Sequence, residues 1–396
     1  MSSIDITHQK LQHAKRASQL IFLVCGIGLS SWAPMVPIAK ERLGLNDADL
    51  GLLLLLIGAG AMVAMPMAGI IVNRAGSRKV VLISALGLAI SLPLLAFVDT
   101  VIVMGIVLFA FGCSIGSMDV AMNSQAIQVQ KLMGKPIMSS LHGLFSVGGL
   151  VGPLGLGLLI KTGLSSFTTS LCISFIVLLL AVSQYKMLLT ADTERHPATH
   201  PEKDPSKSGS AWLNATVLFI GALCLLVFLA EGVMLDWSAV YLRDIKKVNI
   251  AFAGAGYATF SIAMAIMRIT GDRIVHTLKA PFIVVVGSLV SACGIFLIVW
   301  SGGLLPALAG FLLFGIGAAN IVPVLFTQSA HVKGVSSAAG ISVITTLGYA
   351  GQLAGPALIG FVAQHFSLPA GFILTAVLML VVAIAGIVRK NIFSSK

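Results

Sequence analysis

Glu231 lies within the apolar run Leu226 to Leu235, with Gly232 after it and no basic residue within a helical turn. A carboxylate in a membrane helix costs roughly 2.5–3.5 kcal/mol, so such groups face a bundle interior or a water-lined cavity. There the side chain can take up and release a proton or touch a polar substrate. The alternative is a structural partner, a Ser, Thr or Arg on another helix. Asp119 and Asn123 are four residues apart and share one helical face. On an antiparallel return through 131–136, His142 reaches a similar depth, because an α-helix rises about 1.5 Å per residue. Asp119, Asn123 and His142 are therefore expected as one polar cluster. It could bind a proton, since His titrates near neutral pH, or act as a hydrogen-bonded clasp between helices. Glu231, Asp119 and His142 are the proton-coupling candidates.

Asp236 is five residues beyond Glu231, roughly 140° around a helix, so the two carboxyls do not share a face. Asp236 and Trp237 form a helix-end or gate feature, or a substrate contact. Asn320, Tyr349 and Gln352 can donate and accept hydrogen bonds toward a substrate, or serve packing. Trp32 precedes Pro34 and Pro37. Proline removes a backbone donor and kinks a helix, and broken helices are tolerated in membranes where they line a cavity. Trp32 is thus a substrate candidate beside Asn123, with interfacial anchoring as the other reading.

The elements that must hold these residues follow from composition. Of 396 residues, 57% are hydrophobic and 10% charged, and mean hydropathy is +1.01. Soluble proteins carry about 25% charged residues, so the chain is expected to be an all-α polytopic membrane protein. A span needs about 20 apolar residues, which places twelve helices near 18–39, 48–72, 79–98, 101–129, 137–161, 166–187, 213–241, 250–270, 280–300, 304–328, 335–363 and 368–388. The polar, proline-containing stretch between spans six and seven has no apolar periodicity and reads as a linker. The expected organisation is an N-terminal six-helix bundle (1–187), a cytoplasmic linker (188–212) and a C-terminal six-helix bundle (213–396).

Net charge is +11, but the basic residues sit in short connectors, where they are topology signals rather than a nucleic-acid surface. They concentrate on the side holding both termini and the linker, which the positive-inside rule assigns to the cytoplasm. The first nineteen residues lack a cleavable signal pattern, so the first span is expected to be retained. Cys25, Cys113, Cys172, Cys224 and Cys293 are dispersed in apolar runs, a pattern that suggests neither disulfides nor a metal site.

The two halves repeat one another. Gly116-Ser-Met-Asp119 in the fourth span aligns with Gly317-Ala-Ala-Asn320 in the tenth, and Gly148-xxx-Gly152-Pro153 in the fifth with Gly351-xxx-Gly355-Pro356 in the eleventh. Matched features in corresponding spans indicate an internal duplication. Parallel repeats around a midplane site characterise one large class of transporters.

The connector after the second span, Gly69-Ile-Ile-Val-Asn73-Arg74-Ala-Gly76-Ser-Arg78-Lys79, resembles the major facilitator superfamily signature G-x-x-x-D-R-x-G-R-R. Asn73 stands where that family usually has Asp, which puts the usual gate role of that carboxylate in doubt. A shortened copy, Arg268-Ile-Thr-Gly271-Asp272-Arg273, follows the eighth span. By this resemblance Asn73, Arg74, Arg78, Arg268, Asp272 and Arg273 are gating candidates. Met118-Asp119-Val-Ala-Met-Asn123, Leu141-His142-Gly143-Leu-Phe145-Ser146, Ala230-Glu231-Gly232 and Asp236-Trp237 resemble the YbjJ/MosC-like branch. That likeness implies a small polar cargo, polyol- or sugar-like.

No phosphate-binding loop appears, so ATP drive within this chain is not expected. The buried polar groups are too dispersed for an enzyme's nucleophile, base and oxyanion set. No cofactor is expected. The resulting expectation is a monomeric secondary transporter of the bacterial inner membrane. It would work by alternating access between two six-helix bundles, with a small-molecule substrate, protons and the lipid bilayer as partners. Alternatives are a proton-driven efflux antiporter and a non-transporting scaffold or sensor.

Overall fold

In a computed structural model of the chain, residues 8–134, 137–194, 214–271, 277–330, 332, 334–335, 337–389 and 392 are described. These residues form helices and turns, with no strand among them. In chain order the helices are α1 (His8–Ser30), α2 (Val36–Arg42), α3 (Asp47–Ala75), α4 (Ser77–Phe97), α5 (Val101–Met133), α6 (Met138–Lys161), α7 (Ser166–Gln184) and the single turn α8 (Ala191–Glu194). They continue with α9 (Ala215–Val240), α10 (Ala255–Ile269), α11 (Ala280–Trp300), α12 (Leu304–Ala318), α13 (Ile321–Ala330), α14 (Ser337–His365) and α15 (Leu368–Val388). Eleven described segments are long and apolar enough to cross a membrane. α14, at 29 residues, also exceeds the about 20 that a crossing needs. Residues 195–213, most of the expected linker, lie outside the described residues.

Three expected boundaries shift for physical reasons. α1 starts at His8 rather than near residue 18, because Leu11, Ala14, Ala17 and Ser18 put a buried stripe on its polar first turns. At its other end α1 stops at Ser30, since Pro34 lacks the N–H that would serve the Ser30 carbonyl. A 3-10 turn over Ala33–Met35 then leads into α2. The tenth span is two helices, α12 and α13, separated at Ala319 and Asn320.

Contacts gather the chain into two units. The first comprises Met1–Leu45, Leu56–Ala198 and Asn249–Ala258, and the second Asn46–Leu55, Thr199–Val248 and Thr259–Lys396. Within the first, α1 packs on α6 through glycine. A Cβ on Gly26 would strike the Phe145 carbonyl, and one on Gly148 would lie 2.7 Å from the Ile27 nitrogen. Ser30 Oγ donates to the Gly148 carbonyl at 3.1 Å. Small residues let membrane helices approach at backbone distance, where dispersion and hydrogen bonds replace the missing hydrophobic drive. In the second unit α14 meets α9 in the same way, Gly351 lying against the Leu225 backbone.

Each unit also caps its own third span with a basic residue. Arg42 donates to the carbonyls of Leu95, at 2.6 Å, and Ala96 at the end of α4. Lys246 donates to the carbonyls of Val299, at 3.2 Å, and Ser301 at the end of α11. A cation at a helix C-terminus satisfies orphan carbonyls and complements the dipole. Burial pulls the Lys246 ammonium below its ordinary pKa. Away from these seams the exterior is apolar: Ile102 is 80% exposed and Leu305 78%.

Candidate functional site

In the second unit, the chemistry gathers where the tenth span breaks. Pro323 has no backbone N–H, so the carbonyl four residues earlier, on Ala319, has no helical donor. Arg268, in the last turn of α10, supplies one: its Nε lies 3.4 Å from the Ala319 oxygen. Asn320 Nδ2 donates in the opposite direction to the Met267 carbonyl at 3.1 Å, so the break is tied to α10 by two reciprocal bonds. Gly271 makes room for this, since a Cβ there would sit 2.5 Å from Asn320 Oδ1.

The same guanidinium pairs with Glu231. Arg268 Nη2 is 3.4 Å from Glu231 Oε2, with side chains 31% and 14% exposed respectively. Glu231 Oε1 is buried and accepts no hydrogen bond among the described residues. A half-satisfied carboxylate in a low-dielectric setting has room for a proton or for a donor from a ligand. Nearby, Phe228 of α9 stacks on Tyr349 of α14 with ring centroids 6.1 Å apart. Gln352 lies against Gly232, its Cγ 3.6 Å from the position a Cβ would occupy. Glu231, Arg268, Asn320, Tyr349 and Gln352 thus come from four spans of one unit. Asp236 is buried on another side of α9. Trp237 is fully buried with its indole Nε1 unpartnered.

In the first unit Asn123 Nδ2 donates to Asp119, 3.2 Å from Oδ1 and 2.9 Å from the backbone oxygen. His142 meets the edge of Phe22, with ring centroids 5.2 Å apart at 81°. Cys25, three residues beyond Phe22 on α1, lies within electrostatic reach of Asp119. Asp119 and His142 therefore address one face of α1. Trp32 is buried beside the α1 break with an unpartnered Nε1; a fully buried ring is not an interfacial anchor.

The gating candidates separate. Arg74 is exposed, and the Asn73 side chain, Asp272 and Arg273 lie outside the described residues. Arg78 stacks its guanidinium 3.9 Å over the Tyr185 ring. Next to it, Ser77 Oγ donates to Gln125 Oε1 at 2.6 Å in a buried bond, which sequence reading missed. Gly76 has φ +83 and no room for a Cβ against Ala191 of α8. Pro323 was also missed, although its position three residues after Asn320 was a readable signal.

The fold and this site define a helical membrane transporter. The sequence profile described as Major Facilitator Superfamily matches residues 20–350, and the chain belongs to that family. It is 44% identical over 369 residues to an uncharacterized MFS-type transporter of Yersinia pestis, covering 93% of each chain. It is 29% identical over 372 residues to the membrane protein MosC of Rhizobium meliloti, covering 92% of this chain and 88% of MosC. Among solved structures it matches the nucleoside transporter NupG with TM-score 0.75 at 14% identity, covering 98% of this chain and 100% of that one. A bacterial homologue of the human lysosomal transporter Spinster, in an inward-facing and occupied conformation, matches with TM-score 0.76 at 15% identity, covering 96% and 97%. These structural likenesses concern the fold alone.

Proposed function

We propose that the chain is a proton-coupled secondary transporter that moves a small polar metabolite, polyol- or sugar-like, across the bacterial inner membrane by alternating access. It acts as a monomer with both termini in the cytoplasm. The observation that carries this reading is the Glu231 carboxylate, which shares one oxygen with Arg268 and leaves the other without a donor. Protonation removes the charge that holds the guanidinium, so proton and cargo can act on one site. Tyr349 and Gln352 of α14 and Asn320 at the break of the tenth span add hydrogen-bonding groups in the same unit, and the Phe228 and Tyr349 rings offer an apolar face to the carbon skeleton of a polyol. Asp119 with Asn123 is a second polar station in the other half of the duplication.

The test is a ligand-thermostability screen of polyols, sugars and nucleosides at two pH values. Hits are then carried into proteoliposomes under an imposed pH gradient, with wild type beside Glu231→Gln. Gradient-driven flux in wild type that is lost in Glu231→Gln while ligand exchange persists is the expected result. Flux indifferent to both the gradient and Glu231 overturns proton coupling at this residue.

A further inference from the structure

We infer that Arg268 is a positioning residue that transmits the protonation of Glu231 to a hinge in the tenth span, an inference that rests on Glu231 being the proton site. The geometry has three linked parts. Pro323 leaves the Ala319 carbonyl without its ordinary helical donor, the N–H four residues on. Arg268 Nε fills that vacancy from α10 at 3.4 Å. The other side of the same guanidinium is held by Glu231 at 3.4 Å. One planar, rigid group therefore has two obligations, and its fork geometry couples them.

Both bonds are charge-assisted, since the guanidinium donates in each, and the bond to Glu231 adds the attraction of an opposite charge. When Glu231 is neutral, the guanidinium loses the stronger of its two holds. The Ala319 carbonyl then loses a positioned donor, and α13 is freed to pivot about Ala319 and Asn320. The Asn320 bond to Met267 remains as the pivot's tether. The fourth span, α5, runs unbroken over Val101–Met133, so the duplicated halves differ at this point: one span is a rod and its counterpart a hinge.

Other groups facing Glu231 do not duplicate the role of Arg268. Cys224 lies two turns back on α9, and from α14 Tyr349 stacks on Phe228 and Gln352 lies against Gly232, with His365 at the far end of that helix. α12, α13 and α15 contain no titratable side chain. Among the described residues, Arg268 is the charged group that acts on the Glu231 carboxyl.

The experiment is hydrogen exchange of the full-length protein in nanodiscs at pH 5.5 and 8, corrected for the intrinsic pH dependence of exchange. It is paired with thermal stability at the same two pH values. In wild type, acidification should raise exchange across 321–329 by about fivefold, the equivalent of one net hydrogen bond. Glu231→Gln should show the high rate at both pH values. Pro323→Ala, which restores a donor to the Ala319 carbonyl, should show the low rate at both while keeping the wild-type pH dependence of stability. Should that variant fail to fold, Arg268→Lys serves instead: it keeps a charge for Glu231 but not the planar fork that reaches both partners at once, and should exchange fast at both. If Glu231→Gln abolishes the pH dependence of stability while exchange in 321–329 never responds to pH, the hinge is overturned and the proton site survives. If Glu231→Gln keeps every wild-type pH response, Glu231 is not the proton site and both readings fall.

Discussion

Arg268 Nε faces the carbonyl oxygen of Ala319 at 3.4 Å, the carbonyl that Pro323 cannot serve from within its own helix. The pairing joins two residues 51 positions apart, and its logic is local: a missing N–H in one helix is answered by a side chain from another. Glu231 then makes the same guanidinium part of a site.

Removing Arg268 should cost more than removing both partners. Breaking a buried pair by deleting one member leaves an uncompensated charge. Arg268→Ala is expected to lower thermal stability more than Arg268→Ala with Glu231→Gln does. A double-mutant cycle of thermal unfolding should give a coupling of about 1–2 kcal/mol, in the range measured for contacting charged groups.

Gly148 and Gly155 lie on the same helix, α6, and should differ sharply. A Cβ on Gly148 meets the α1 backbone, whereas one on Gly155 meets nothing within 4 Å. Gly148→Ala should destabilise by at least about 2 kcal/mol through overpacking. Gly155→Ala should be neutral or stabilising by up to about 1 kcal/mol from helix propensity. Expression level and melting temperature of the two variants in detergent provide the check; equal behaviour would contradict the seam described between α1 and α6.

Gln125→Leu should cost about 1–3 kcal/mol, because it removes the acceptor of the buried Ser77 hydroxyl. Adding Ser77→Ala should recover part of that loss, since it removes the hydroxyl that lost this acceptor. Thermal unfolding of the single and double variants distinguishes this hydrogen bond from a simple volume effect.

Lys246 gives a pH dependence whose sign is fixed. Its pKa in the folded chain is lowered, so in the window between that value and the ordinary one the unfolded chain binds more protons. Stability then rises with pH through that window. Lys246→Gln should flatten the rise in melting temperature at alkaline pH. It should also lower stability at neutral pH by about 0.5–1.5 kcal/mol, through loss of the hydrogen bonds to the Val299 and Ser301 carbonyls.

Much of the architecture was readable in order along the chain. Apolar runs marked the spans, and Gly148-xxx-Gly152 and Gly351-xxx-Gly355 marked two seams where α1 and α9 now lie. Glu231 was conspicuous because nothing near it in sequence carries a compensating charge. Its partner was not, because Arg268 lies 37 positions away at the end of another helix, where a connector signature made it look like a gate residue. The break at Ala319 was hidden by an apolar run that reads through it; Pro323 has its effect four residues upstream of itself. Arg42 and Lys246 looked like loop charges, and their function as caps depends on which helix end the fold brings within reach.

The glycine seam between α1 and α6 has a consequence for how the chain can drift. Gly26, Gly148 and Gly152 admit no added atom on the facing side, while Ile102 and Leu305 face outward and are mostly exposed. A saturation library selected for transport should therefore come back almost invariant at the three glycines. At the two outward positions it should interchange Leu, Ile, Val and Phe freely, so that the molecule's narrowest residues rather than its largest set its mutational tolerance.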